Sequence, residues 1–169
     1  MFVLGIDPGL SRCGYGCVEH ARGAQRARAA GVLTTDRAAP LPERLATLRR
    51  DLHELVAEHR PDVVVVERVF FQTNARTAMS VGQASGLALL TAAEAGCAVA
   101  EYSSNEVKLS VTGYGAASKS QVQRMVAALL GLAEVPRPPD AADALALALC
   151  HLAATRSSRL AVAVPGGAA

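Results

Sequence analysis

The stretch that most restricts how this chain can fold is Val63-Val64-Val65-Val66-Glu67, an unbroken β-branched run that closes on a carboxylate. β-Branched side chains are stiff at χ1 and favour strands. An apolar run without alternation needs cover on both faces, which places the strand inside a sheet with helices on either side. Phe2 to Asp7 has the same character and also ends on an acid. It reads as a central buried strand.

The rest of the order follows from turn and cap signals. Pro8-Gly9 turns the chain, and Gly14 to His20 and Ala29 to Thr35 read as two further strands around a turn at Arg22-Gly23. Leu41, Leu45, Leu48, Leu52 and Leu55 form one stripe of an amphipathic helix, followed by Pro61. Asn74 can cap a long helix to about Ala95, ended by Gly96. Ala98 to Tyr102 is a short strand. Ser103 with Glu106, and Ser118 with Gln121, fit capping boxes on either side of a Gly113-Tyr114-Gly115 loop. The last helix starts near Pro139 and runs to about Ala154. A meander followed by strand–helix–strand crossovers predicts an α/β fold with a mixed five-stranded sheet flanked by helices. At 169 residues the expectation is one domain over 1–155, with a loose patternless tail over 156–169.

Composition removes several classes. With 51% hydrophobic and 19% charged residues, the chain can bury a core. Met1 to Asp7 has no basic leader and carries an acid in its first apolar run, which is not a secretory signal. The least polar long stretch, Thr77 to Ala100, contains Gln83, Ser85, Thr91 and Glu94, a poor membrane span. Cys13, Cys17, Cys97 and Cys150 lack paired CxxC spacing, so they read as reduced thiols in a cytoplasmic protein.

Four carboxylates do not look like surface charge. Asp7 follows Val3 and Gly5 on one strand face, and Glu67 follows Val63 and Val65. Asp140 and Asp143 share a face at the start of an otherwise apolar helix that should pack on the sheet. If all four converge, their repulsion requires cations, and all-oxygen ligands suit Mg²⁺ or Mn²⁺. Two such ions can activate water and stabilise the leaving oxygen of a phosphodiester. The alternative for each acid alone is ordinary: a turn residue at Asp7, a Glu67 pair with Arg68 or Arg76, and helix-start acids at Asp140 and Asp143.

At this point the chain resembles a known family. Leu4-Gly5-Ile6-Asp7-Pro8-Gly9 and Gly14-Tyr15-Gly16 are similar to the opening of RuvC, the bacterial Holliday-junction resolvases. The likeness continues through Val66-Glu67-Arg68-Val69-Phe70, Gly82 to Gly86, Tyr102, Val107-Lys108, Gly113 to Val122, and Asp140 to Ala146. The resemblance implies a ribonuclease H-like fold, a homodimer, and paired Mg²⁺-dependent nicks in opposed strands of a four-way junction. It assigns Asp7, Glu67, Asp140 and Asp143 to the metals, the all-acid version of a pattern that sometimes carries His at the third position. It also implies the RuvA and RuvB branch-migration proteins as partners.

The remaining candidates concern DNA. Phe70 and Phe71 are adjacent, and aromatics are only 4% of the chain. One of them can stack on an unpaired base, or both can pack locally; the resemblance assigns stacking to Phe70. Lys108 and Lys119 are the two lysines beside 15 arginines, and they flank one glycine loop. They suit phosphate contact, and matching lysines in the family contact DNA or support catalysis. Asn74 and Arg76, at the start of the long helix, are further DNA candidates. Gly82, Ala84, Ser85, Gly86 and Ala88 make that helix small-sided, fit to pack on its own sheet or against a second copy. His53, His59 and His151 read as surface or packing residues, and His20 is uninformative.

Other functions are weaker. A sugar-kinase or actin-like ATPase also opens with a strand ending in Asp-x-Gly, but needs a second phosphate loop and a longer chain. A different nuclease on this fold, or a non-catalytic junction-binding module, remains as an alternative. The net charge of +2 is no obstacle to a polyanion partner, because setting the four acids aside leaves 17 basic side chains against 11 acidic ones.

Overall fold

Four valines in a row stay buried because β4 (Val63–Glu67) has a strand on each side and a helical layer on each face. Val63 and Val65 point into one core with Val3, Val107, Val126 and Leu145. Val64 and Val66 point into the other with Leu4, Ile6, Leu48, Leu52 and Ala88. The computed structural model describes residues 1–68 and 75–162, with backbone alone at 75–76 and 157–162.

The other described elements are β1 (Phe2–Asp7), β2 (Arg12–Ala21), β3 (Ala24–Thr34), α1 (Leu41–His59), α2 (Ala75–Glu94), β5 (Ala98–Tyr102), α3 (Ser104–Thr112), α4 (Lys119–Leu130) and α5 (Pro139–Val162). The sheet order is β3-β2-β1-β4-β5. β1, β2 and β3 form the antiparallel meander, while β4 and β5 join in parallel through crossover helices. This is the expected mixed five-stranded sheet.

The meander strands are longer than the sequence pattern suggested. β2 and β3 reach a tight turn at Arg22 (φ 52°) and Gly23 (φ 79°), both left-handed, which suits the twist of a two-residue hairpin. Both predicted capping boxes form: the Ser103 and Ser118 hydroxyls accept from the backbone N–H of Glu106 and Gln121, whose side chains accept in return. α5 also corrects an expectation. It continues to Val162, eight residues past the predicted end near Ala154, because no Gly or Pro interrupts it before Pro165. The tail expected over 156–169 therefore begins as helix, and 163–169 lie outside the described residues. Among the described residues no helix is long and apolar enough to cross a membrane.

α5 lies unusually close to the sheet, and three glycines allow it. A Cβ on Gly5 would strike the Ala144 carbonyl oxygen, and one on Gly14 would strike that of Asp140. On Gly16 it would sit 2.7 Å from the Leu145 nitrogen. These glycines set how far Asp140 and Asp143 stand from the strand ends.

Candidate active site

β1 and β4 pair in parallel as Val3↔Val63, Leu4↔Val64, Gly5↔Val65 and Ile6↔Val66. One residue further, the register sets Asp7 beside Glu67. By the two-residue alternation of a strand, both acids share the face covered by α5. Gly14 lies opposite Asp7 on β2 and directly beneath Asp140. Asp143 follows three residues along the same helix face. Two strand ends and one helix start thus bring all four predicted carboxylates together.

A cavity of about 290 Å³ opens here, lined by Asp7, Glu67, Asp143, Lys108, Lys119 and Ser104 among others. Capping boxes begin the two helices that carry the lysines. Lys119 Nζ lies 2.6 Å from Asp143 Oδ2. Arg12 donates from Nε (3.1 Å) and Nη2 (2.8 Å) to Asp140 Oδ2. Among the described ion pairs, none involves Asp7 or Glu67. Arg68, a predicted alternative partner for Glu67, donates instead to the Glu101 carbonyl at 3.2 Å.

The electrostatics follow from this uneven pairing. Burial, then the charges of Glu67, Asp143 and Asp140, push the Asp7 carboxyl up to about 7, against a smaller opposing effect of Lys119. Burial also raises Glu67, opposed by a hydrogen bond with Asp7. Burial would raise Asp140 too, but the Arg12 bond and charge prevail and hold it below the usual carboxylate range. The bond to Asp143 raises Lys119. The strand-end pair is short of positive charge, while the helix acids each hold a side-chain cation.

The donor set suits a divalent metal. It is all carboxylate oxygen, clustered and partly desolvated, with net repulsion that a hard cation relieves. As the side chains stand, no three His, Cys, Asp or Glu among the described residues enclose one point at ligand distance. Asp143 and Asp140 are instead paired with Lys119 and Arg12.

Phe70, Phe71 and Asn74 lie outside the described residues, and Arg76 is seen only as backbone in the first turn of α2. The cysteines are free thiols, and burial pushes Cys13 and Cys17 up to about 12. Sequence reasoning missed Arg12. The available signal was a basic residue opening the strand that pairs with the Asp7 strand. It also undervalued His151, whose Nδ1 lies 3.0 Å from the Tyr102 hydroxyl. That bond ties α5 to Tyr102, the β5 residue paired with Glu67.

Carboxylates on two central strand ends and an overlying helix, on a mixed sheet ordered β3-β2-β1-β4-β5, define a nuclease of the ribonuclease H-like class. The family model described as crossover junction endodeoxyribonuclease RuvC matches residues 3–151. This chain belongs to the RuvC family. A crossover junction endodeoxyribonuclease RuvC from Salinispora arenicola is 57% identical over 96% of this chain and 94% of its own length. Its counterpart from Syntrophomonas wolfei is 48% identical over 94% and 92%. Thermus thermophilus RuvC in complex with Holliday junction substrate superimposes with a TM-score of 0.88 at 38% identity, covering 94% of this chain and 96% of that one.

Proposed function

We propose that this chain is a divalent-metal-dependent endonuclease that resolves four-way DNA junctions by symmetric paired nicks. The observation that carries the reading is the gathering of Asp7, Glu67 and Asp143 in one cavity with Lys108 and Lys119, and Asp140 beside them. Asp7, Glu67, Asp140 and Asp143 would hold two ions, Mg²⁺ or Mn²⁺. When bound, these ions supply Lewis-acid stabilisation of the phosphodiester and an activated water. The lysines sit where a scissile phosphate would approach and supply positive charge to its oxygens. Hydrolysis breaks the bond to the 3′ oxygen and leaves a 5′-phosphate end.

Paired nicks need two sites. Met79, Gly82, Gly86 and Leu90 form an exposed stripe along α2, with open space beside both glycines. Ala84, Ala88 and Ala92, on its other side, are buried in the protein's own core. The stripe suits a self-complementary contact with a second copy. Phe70 and Asn74 with Arg76 flank this region in sequence and are assigned to the unpaired bases and backbone of the junction. The setting is the cytoplasm, in recombination and DNA repair with RuvA and RuvB.

The test offers purified protein a mobile four-way junction with Mg²⁺, Mn²⁺ or EDTA. Symmetric paired nicks that vanish in EDTA are expected. Equal cutting of linear duplex or of an RNA–DNA hybrid overturns junction selectivity. Phe70→Ala should impair cutting more than binding; unchanged cutting removes the stacking role.

A further inference from the structure

Arg12 meets Asp140 in an unusual way. Both donors, Nε and Nη2, converge on the single oxygen Oδ2, at 3.1 and 2.8 Å. A guanidinium fork can close a carboxylate by taking both oxygens. Here Oδ1 takes no bond from Arg12. The backbone under Arg12 is braced: Thr35 Oγ1 donates to the Leu10 carbonyl at 2.6 Å. Arg44 donates to the Ser11 hydroxyl at 2.7 Å and to Thr35 Oγ1 at 3.0 Å. The Arg12 side chain, by contrast, is 43% exposed. The loop is held in place, while the guanidinium can leave Asp140 by rotation of its own side chain.

We infer that Arg12 is an exchangeable counter-ion: in the free protein it neutralises Asp140, and on DNA it passes to a phosphate and uncovers that carboxylate for a divalent cation. The inference rests on the reading of Asp140 as a metal ligand. Its chemistry is direct. Guanidinium binds carboxylate and phosphate through the same planar donors, so the exchange conserves hydrogen bonds. A divalent cation at Asp140 and a guanidinium on the same oxygen repel each other, so the two compete. Incoming phosphate gives Arg12 another anion, and cation and DNA then promote each other's binding, as linkage requires. Asp7 and Glu67 have no such competitor among the described ion pairs, so the device acts at the helix side of the site.

Two measurements on the full chain test this: Mn²⁺ titration by electron paramagnetic resonance without DNA, and junction binding in EDTA across a salt series. Arg12→Gln should tighten DNA-free Mn²⁺ binding by roughly two- to fivefold, the scale of losing one half-exposed ion pair. It should weaken junction binding and lower the salt slope by about one. Arg12→Lys should restore both toward the starting values. Combined with Asp140→Asn, Arg12→Gln should lose its effect on Mn²⁺. Unchanged or weaker Mn²⁺ binding in Arg12→Gln overturns the inference, as does an unchanged salt slope or a gain that survives Asp140→Asn. Asp7→Asn separates the two levels. If it loses Mn²⁺ while Arg12→Gln changes nothing, only the counter-ion role falls; if it binds Mn²⁺ like the parent, the metal reading itself falls.

Discussion

Asp7 concentrates the site's chemistry in one side chain. Its carboxyl is raised to about 7 from an ordinary 3.8, so the folded metal-free protein prefers it protonated. The stability gained by keeping that proton is complete below about pH 4 and is lost as pH rises through about 7. Metal-free protein should therefore melt several degrees lower at pH 8 than at pH 5, and added Mg²⁺ should recover more at pH 8. Melting curves with and without EDTA check this, and a gain from Mg²⁺ independent of pH would contradict it. Asp7→Asn removes the buried charge, so it should raise metal-free stability at pH 8 by on the order of 2 kcal/mol. It should also abolish cutting while junction binding persists. Lost binding would assign Asp7 a structural role.

At the scale of elements, the seat of α5 decides whether the acids meet. Gly14→Ala drives a Cβ into the Asp140 carbonyl oxygen, a backbone atom that cannot rotate away. The helix must lift, at a cost of about 2–3 kcal/mol, and the Asp7–Asp140 spacing opens with it. Thermal melting and Mn²⁺ affinity should fall together; a variant with normal affinity would show that the helix height is not critical. The cap of α4 matters for a related reason. Lys119 follows Ser118 directly, and Ser118 anchors that helix start through Gln121. Ser118→Ala should cost about 1 kcal/mol and reduce cutting more than that stability loss explains, since Lys119 loses its fixed base. Equal cutting in folded protein would argue that Lys119 is placed by Asp143 alone.

The whole molecule must offer two sites and hold an anionic substrate. Gly86 faces open space on the α2 stripe, so Gly86→Arg should leave the protomer folded while blocking a mate helix. Sedimentation should then show monomers, with the two nicks no longer coupled. A dimer that survives the change would place the contact elsewhere. The near-neutral total charge is compatible with DNA because four of the 15 acids gather in one cluster at the strand ends and the start of α5 and are not spread over the outer surface.

Much of this was legible in the chain because local physics suffices for it. The valine run could only be a doubly covered strand, and period two then placed Glu67 and Asp7 on the faces of Val65 and Gly5. The capping boxes and the three-residue spacing of Asp140 and Asp143 are local patterns too. What the sequence did not reveal depends on contacts between distant segments. Arg12 and Asp140 are 128 residues apart, and no periodicity links them. The bond from Tyr102 to His151 spans 49 residues, which is why His151 read as a packing residue. The length of α5 escaped because a helix end without Gly, Pro or a cap has no local signal. The sequence by itself determined which residues are acids on buried faces. Only the tertiary structure decided which of those acids pair with a side-chain cation, Asp140 with Arg12 and Asp143 with Lys119, because charge pairing depends on distance in space and not along the chain.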